Sequence, residues 1–267
     1  MSKVICVAMN KGGAGKTSLT TNLASALTTK YPKKQVLIVD ADSQGNCSLT
    51  FGKSPDMYDK TIYDAMLKKC EIEDVIVPLS ENLYLIPSND QLSFLPFEVL
   101  TNLEDYDHKP FSLLAPSLNK LRKYFDYIFI DTPPSIETLT CNALVGSDLT
   151  LIPFVPEHYP AIGLIKTIEA INDFKNTENP NLKLLGVVGM MVNSRTNLHT
   201  DTLQKAYSYC NNNNIYFFKS KIGQSIRFSD SSTYKNRPAV LTHRTDPIVQ
   251  GYYSLLKEFI KEAEKHE

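Results

Sequence analysis

The segment that decides the fold lies near the start of the chain and reads Lys11-Gly12-Gly13-Ala14-Gly15-Lys16-Thr17. A short apolar run, residues 4–8, precedes it, and apolar residues recur at helical spacing after it. A glycine-rich turn between a strand and a helix lets backbone N–H groups converge on one anion, and the helix N-terminus adds a partial positive charge. The segment therefore predicts a phosphate-binding loop that opens a βαβ unit.

Two side chains of this loop are expected to complete a nucleotide site. Lys16 would reach the β- and γ-phosphates, and Thr17 would offer a hydroxyl ligand to Mg²⁺, which prefers oxygen donors. The expected cofactors are ATP and Mg²⁺. The residues predicted to bind the nucleotide are Lys11, Gly12, Gly13, Ala14, Gly15, Lys16, Thr17 and Ser18.

Short β-branched runs alternate with helical stretches along the chain. The runs are residues 4–8, 36–39, 83–86, 127–130, 149–154 and 184–192. A helix is expected to end before Tyr31-Pro32, another to span about residues 200–210, and residues 211–214 to form a loop. This alternation predicts an α/β fold, doubly wound, with a mostly parallel sheet and helices on both faces. We expect one P-loop domain over residues 1–267.

Composition excludes several classes of protein. With 42% hydrophobic and 21% charged residues, the chain should fold as an ordinary globular protein. The apolar start is too short for a signal peptide, and no segment approaches the ~18 apolar residues of a membrane span. The five scattered cysteines lack a Cys-x-x-Cys pair. A cytosolic protein with reduced, structural thiols is expected.

Charge is unevenly distributed although the net charge is only −1. Residues 180–250 contain nine Lys or Arg and three Asp, a local charge of +6. Such an excess permits an anionic partner, although a plain solvated surface is the commoner reason for it.

Three aspartates end predicted strands. Asp40 and Asp42 follow the second run, and Asp131 follows the run at residues 127–130. Ligands of open α/β sheets bind at the carboxyl ends of the strands, so these side chains should lie beside the phosphate loop. Any one of them could instead cap a helix or a turn, but that is improbable for the set.

The loop resembles the deviant Walker A motif of the family that contains MinD, the ParA/Soj partition ATPases and the nitrogenase iron protein. By its position alone, Lys11 would be a solvated loop charge. The resemblance implies that Lys11 crosses a dimer interface to the partner's nucleotide. It narrows to ParA/Soj at residues 40–46, where D-x-D-P-Q-G-N is matched except for Ser43, and at residues 131–135, where D-T-P-P-S is matched in full.

The resemblance also assigns roles to the acidic residues. Asp42 would position the attacking water, Asp40 would support the same switch region, and Asp131 would be the Mg²⁺-linked Walker B residue. The implied catalytic residues are Lys11, Lys16, Asp42 and Asp40. The implied metal-site residues are Thr17, Asp131 and Asp42.

Two arginine segments bear on DNA binding in this family. Residues 193–198 resemble its R-T-N segment, and residues 227–232 match its R-L-S-E-A-P-S more weakly. The resemblance implies DNA contacts without sequence preference, made through phosphates. The expected contact residues are Arg195, Arg227, Lys219, Lys221, Lys235 and Arg237.

The resemblance further implies the partners and the process. They are a homodimer that sandwiches ATP, non-specific DNA and a centromere-binding adaptor protein that stimulates hydrolysis, in partition of a plasmid or chromosome. The location would be cytoplasmic and nucleoid-associated.

The leading rival is a MinD-like, membrane-associated ATPase that positions cell-division or other cargo. It would need a basic amphipathic C-terminal helix, whereas residues 252–267 have mixed charge and an acidic end, so a membrane partner is disfavoured. An iron–sulfur electron donor lacks a second suitable cysteine after Cys141. A small-molecule ligase or kinase lacks a second substrate motif.

Overall fold

The computed structural model of the protein describes residues 2–157 and 160–266. Six side chains within these ranges lie outside the description: Pro160, Ala161, Arg227, Ser229, Ser232 and Thr233. The described strands are β1 (Lys3–Val7), β2 (Val36–Asp40), β3 (Val77–Pro78), β4 (Leu83–Ile86), β5 (Tyr127–Asp131), β6 (Leu149–Phe154) and β7 (Lys183–Gly189).

These strands form one seven-stranded sheet of order β3-β4-β2-β5-β1-β6-β7. Every pairing is parallel except that of β3 with β4. Since parallel strands need crossover connections, helices pack on both faces of the sheet. The doubly wound α/β fold expected from the sequence is confirmed.

The helices cover the two faces of the sheet. They are α1 (Lys16–Lys30), α2 (Asn46–Thr50), α3 (Ile62–Met66), α4 (Leu95–Thr101), α5 (Ala115–Leu121), α6 (Thr138–Val145), α7 (Pro160–Thr177), α8 (Asn197–Asn212), α9 (Ile226–Tyr234), α10 (Ala239–Thr242) and α11 (Pro247–Glu264). Successive residues of β1 serve opposite faces: Val4 and Cys6 belong to one buried cluster, and Ile5 and Val7 to the other.

The six predicted strands are present, with shifts at their ends. β7 ends at Gly189 instead of residue 192, because the chain beyond it leaves the sheet and Val192 forms only an isolated bridge with Gly223. β3 was not predicted, since two residues at an antiparallel edge leave no periodic signal.

The ends of two helices can also be compared with the prediction. α1 ends before Tyr31-Pro32, as predicted. α8 begins at Asn197, where the Thr196 side chain accepts a hydrogen bond from the His199 N–H, and it continues to Asn212. The prediction that residues 211–214 form a loop was therefore wrong for its first two residues.

The C-terminal helix packs on the sheet, as the sequence indicated. α11 buries its apolar face in the same cluster as Leu23 and Leu27 of α1. Its fully or nearly fully buried apolar residues are Val249, Tyr252, Leu255, Leu256, Phe259 and Ala263. Within the described ranges, none of the helices has both the length and the hydrophobicity to cross a membrane. All five cysteines are free thiols.

Candidate functional site: a phosphate loop facing three aspartates

The phosphate loop joins β1 to α1 and opens a cleft of about 760 Å³. Gly13 and Gly15 have φ angles of 70° and 82°, in the left-handed region that side chains disfavour. Gly15 is the N-cap of α1, and no side chain caps the helix. The backbone N–H groups of its first turn are therefore available to an anion in the cleft.

The Lys16 ammonium is buried and points back across the loop. It donates hydrogen bonds to the carbonyl oxygens of Lys11, at 3.1 Å, and Met9, at 3.4 Å. Burial lowers the pKa of Lys16, while the charges of Asp131 and Asp42 act in the opposite direction. A phosphate in the cleft would supply the anionic partner that this ammonium lacks among backbone carbonyls.

Asp131, at the end of β5, is fully buried and accepts hydrogen bonds from two elements. The Thr17 hydroxyl donates to Oδ2 at 2.5 Å, and the Cys47 thiol donates to the same oxygen at 3.4 Å. Burial raises the pKa of Asp131 to about 6, although these two hydrogen bonds and the Lys16 charge favour the carboxylate.

Asp40 organises the loop after β2. It accepts from the backbone N–H of Asp42 at 3.2 Å and from that of Cys47 at 3.0 Å. Burial, followed by the charge of Asp131, raises the pKa of Asp40 well above its usual range. Asp40 thus fixes the turn that presents Asp42 to the cleft.

Asp42 lines the cleft beside the phosphate loop. Its carboxylate accepts from the Gln44 N–H at 3.1 Å, and its carbonyl oxygen accepts from the Ser88 hydroxyl at 2.5 Å. The backbone of the predicted water-positioning residue is therefore held by a side chain that follows β4. Sequence reasoning missed Ser88.

Three side chains that could bind a metal ion lie close together at this edge of the sheet. The ligand atoms of Asp40, Cys47 and Asp131 lie within 4.8 Å of one another. Burial raises the pKa of the Cys47 thiol well above its usual range, so the thiol acts as a hydrogen-bond donor here. Mg²⁺ takes oxygen ligands, and the paired oxygens of Thr17 and Asp131 fit it.

Lys11 directly precedes the cleft-lining residue Gly12, and it forms an ion pair within its own chain. Its ammonium lies 2.6 Å from the Glu157 carboxylate, with 36% and 56% of the two side chains exposed. An ion pair this exposed contributes little stability, so Lys11 can exchange Glu157 for another anion at small cost. The sequence singled out Lys11 but did not predict that it would pair with Glu157.

The far side of the cleft comes from the C-terminal third of the chain. Phe228, Asn236 and Pro238 line it. The Phe228 ring meets the Tyr252 ring edge to face at 5.7 Å, and the Tyr252 hydroxyl lies 3.2 Å from the Ser18 hydroxyl. These contacts connect α9 and α11 to the first turn of α1.

Five of the six residues predicted to contact DNA lie in two groups along the chain. The first group contains Arg195, Lys219 and Lys221, and the second contains Lys235 and Arg237. Val192 donates to the Ile222 carbonyl at 2.9 Å, which ties the loop that carries Arg195 to the segment that carries Lys221. Arg195, Lys219 and Lys221 are exposed.

The second group follows α9, and its members Lys235 and Arg237 are also exposed. The Lys235 ammonium lies 3.2 Å from His243 Nε2. Arg227 lies in α9, between the two groups, and its side chain is outside the described residues.

Comparison with known proteins agrees with this geometry. Residues 2–184 match the family model described as an AAA domain. Over 251 residues, the chain is 33% identical to a ParA family protein of Mycoplasma pneumoniae, with 91% of this chain and 90% of the relative covered. The chain belongs to the ParA family. The resemblance found in the loop and in the acidic segments is confirmed.

Two further comparisons extend over nearly the whole chain. It is 30% identical to the sporulation initiation inhibitor protein Soj of Bacillus subtilis, covering 97% of this chain and 98% of Soj. A crystal structure of cobyrinic acid a,c-diamide synthase from Mycobacterium smegmatis, with bound ADP and magnesium, superposes with a TM-score of 0.85 at 25% identity. That match covers 100% of this chain and 97% of the synthase.

The pKa of Asp131 generates a prediction for this ParA family member. Folding raises that pKa from 3.8 to about 6, so between these values the folded chain holds a proton that the unfolded chain has lost. Stability therefore falls as pH rises through this window, by on the order of 3 kcal/mol at pH 7. Asp131→Asn should stabilise the nucleotide-free protein at pH 7, and the gain should shrink toward pH 4.

Urea unfolding at both pH values measures this difference, with Asp173→Asn, an exposed carboxylate on α7, as the matched control. The same variant should lose stabilisation by Mg²⁺-nucleotide. Equal destabilisation by Asp131→Asn at pH 4 and pH 7 would contradict the burial argument.

Proposed function

We propose that the protein is an ATP-dependent, dimerising ATPase that binds DNA without sequence preference and acts in plasmid or chromosome partition. One arrangement carries the proposal: the phosphate loop and Asp42 line one cleft, the buried Asp131 carboxylate accepts a hydrogen bond from the cleft-lining Thr17 hydroxyl, and a second lysine, Lys11, directly precedes the loop glycines. The chain works as one domain over residues 1–267, in the cytoplasm and in association with the nucleoid.

ATP binds with its phosphates on the backbone of residues 12–18, and the Lys16 ammonium turns from the loop carbonyls to the β- and γ-phosphates. Phe228, Asn236 and Pro238 receive the adenine end, since they line the same cleft. Thr17, Asp131 and Asp42 would hold Mg²⁺, which would neutralise phosphate charge.

Hydrolysis depends on Asp42. Its carboxylate is the acidic group that lines the cleft beside the phosphate loop, and Asp40 fixes its turn through two backbone hydrogen bonds. We assign Asp42 to orientation of the attacking water, because a protein catalyses phosphoryl transfer mainly by positioning the reacting groups and stabilising their charge.

Dimerisation uses Lys11. In the single chain its ammonium is held by Glu157, an exposed partner that it can leave at small cost. In the dimer Lys11 reaches the nucleotide of the other subunit, so ATP is sandwiched between two copies. A centromere-binding adaptor protein then stimulates hydrolysis and releases the dimer.

DNA binding uses the exposed cations of the C-terminal third. The pairing of Val192 with Ile222 supports a shared surface for Arg195, Lys219 and Lys221, and we assign Arg227, Lys235 and Arg237 to DNA contact as well. A dimer doubles these weak contacts on one body, so ATP should raise DNA affinity through effective concentration.

The membrane-associated rival is disfavoured by the position of α11. Its apolar face is buried against α1 and the sheet, so it could meet a lipid surface only by leaving the core. Exposure of Phe259 and Leu255 to water would cost roughly 2 kcal/mol for each side chain.

Asp42→Ala tests the hydrolytic assignment. The variant should still bind Mg²⁺-ATP, with only a modest loss of affinity, because the phosphate cradle, Thr17 and Asp131 remain, and its turnover should fall about 10²-fold or more. Phosphate release and nucleotide titration measure the two quantities separately. Asp56→Ala removes an exposed carboxylate as the control. Normal turnover in Asp42→Ala would assign water positioning to another residue.

Arg195→Glu tests the DNA surface. Binding to two unrelated duplexes should weaken equally, while ATP-driven dimerisation persists. Each lost phosphate contact flattens the logarithmic salt slope by about 0.9, and a symmetric dimer loses two. Fluorescence anisotropy across a salt series measures this, and Lys123→Glu, an exposed cation just before β5, is the matched control. ATP-dependent binding to lipid vesicles without DNA binding would favour the membrane rival.

A further inference from the structure

The chain after α8 runs alongside β7 and leaves it for three residues. Phe218 donates its backbone N–H to the Val187 carbonyl at 2.9 Å, and Ile222 donates to the Gly189 carbonyl at 2.8 Å. Three residues of this segment therefore lie opposite a single residue of β7, which makes a bulge with two extra residues. The three residues are Lys219, Ser220 and Lys221, and we call them the lysine bulge.

Both ends of the lysine bulge are anchored in the core. Phe218 and Ile222, which flank it, are 0% and 1% exposed. Lys219 and Lys221 themselves are exposed. The bulge thus places two exposed lysines beside the edge of the sheet.

A bulge takes backbone N–H groups away from the ladder, and these groups need other acceptors. One carboxylate in α11 accepts two of them. Glu258 Oε1 accepts from the Lys219 N–H at 2.8 Å, and Oε2 accepts from the Ser220 N–H at 3.0 Å. The Tyr216 hydroxyl donates to Oε1 at 2.6 Å. A single side chain therefore holds the backbone of two consecutive bulge residues.

Glu258 is suited to this contact because its carboxyl group stays ionised. Partial burial acts to raise the pKa of Glu258, but the hydrogen bonds from Tyr216, Lys219 and Ser220 outweigh burial and lower that pKa below its usual value. Hydrogen bonds to an ionised acceptor are roughly twice as strong as those between neutral groups. The backbone of the bulge is thus fixed within the single chain.

The same helix supports the bulge at a second point. A methyl group added to Gly251 would lie 3.3 Å from the Lys221 carbonyl oxygen, so the helix backbone approaches the bulge closely there. Gly251 and Glu258 are seven residues apart, about two turns, and so lie on one face of α11. The bulge therefore rests on a helix that is itself packed against the core.

A carboxylate beside a DNA-binding surface has two effects of opposite sign. Its charge repels phosphates and lowers DNA affinity, to an extent that salt screens. Its hydrogen bonds hold the lysines in place before DNA arrives, which raises affinity because less ordering is needed on binding. Substitutions that change the charge and the hydrogen bonds separately can distinguish the two effects.

We propose that Glu258 is a positioning residue for DNA binding, which holds the lysine bulge in the shape in which Lys219 and Lys221 contact phosphates. The effect on DNA rests on the proposed function. The hold on the bulge does not, because it is a contact within one chain.

Two variants separate geometry from charge. Glu258→Gln removes the charge and one acceptor, whereas Glu258→Asp keeps the charge but is one methylene too short to span both N–H groups. With a non-hydrolysable ATP analogue, both should weaken binding to a fluorescent duplex about tenfold. Glu264→Gln removes an exposed carboxylate from the same helix and should not weaken it. Tighter binding by Glu258→Gln together with native affinity in Glu258→Asp would overturn the proposal.

A double-mutant cycle tests whether Glu258 acts through the lysines. In a chain that carries Lys219→Ala and Lys221→Ala, Glu258→Asp should cause no further loss of DNA affinity, because the cations that it positions are gone. A tenfold loss in that background would also overturn the proposal, since Glu258 would then act through the fold in general.

Amide hydrogen exchange measures the hold on the bulge without DNA. In Glu258→Asp, exchange should become faster at Lys219 and Ser220, while Phe218 and Ile222 stay protected. Unchanged exchange at Lys219 and Ser220 would show that Glu258 does not fix the bulge. Absence of DNA binding by the native chain would refute the proposed function, and with it the role of Glu258 in DNA binding, but not the exchange result.

Discussion

The burial of three carboxylates beside one ammonium is the constraint on which the rest of the structure depends. Parallel pairing of β2 with β5 sets Asp40 opposite Asp131 at the carboxyl edge of the sheet, and the phosphate loop brings Lys16 to the same edge. Burial raises the pKa values of both carboxyl groups and lowers that of the lysine. The chain therefore keeps ionisable groups in a place where burial disfavours their charged forms, which is typical of a site that binds a charged ligand.

Hydrogen bonds and a ring contact connect this site to other parts of the chain. Asp40 fixes the turn of Asp42, Ser88 links that turn to the segment before α4, and Tyr252 connects the first turn of α1 to Phe228 in α9. The Ser88 and Tyr252 connections join residues that are 46 and 234 positions apart in sequence. The cleft is thus connected by direct contacts to α9, which carries part of the surface proposed for DNA.

The sequence was sufficient for the fold and for the phosphate loop because both leave local patterns. Buried parallel strands appear as β-branched runs, and Gly13 and Gly15 are required by the left-handed backbone of the turn. The contacts of Cys47, Ser88 and Glu157 leave no such pattern. Cys47 meets Asp131 across 84 residues and Ser88 meets Asp42 across 46, so only the folded chain reveals these pairs.

The proposed dimerisation around ATP requires that Lys11 leaves Glu157 for the nucleotide of a second copy. Sedimentation velocity with a non-hydrolysable ATP analogue tests this most directly, on native protein, Lys11→Ala and Glu157→Gln. The native chain and Glu157→Gln should form dimers with the analogue, whereas Lys11→Ala should bind it with nearly native affinity and remain a monomer. A Lys11→Ala protein that dimerises like the native chain would contradict the account and leave Lys11 as a surface charge paired with Glu157.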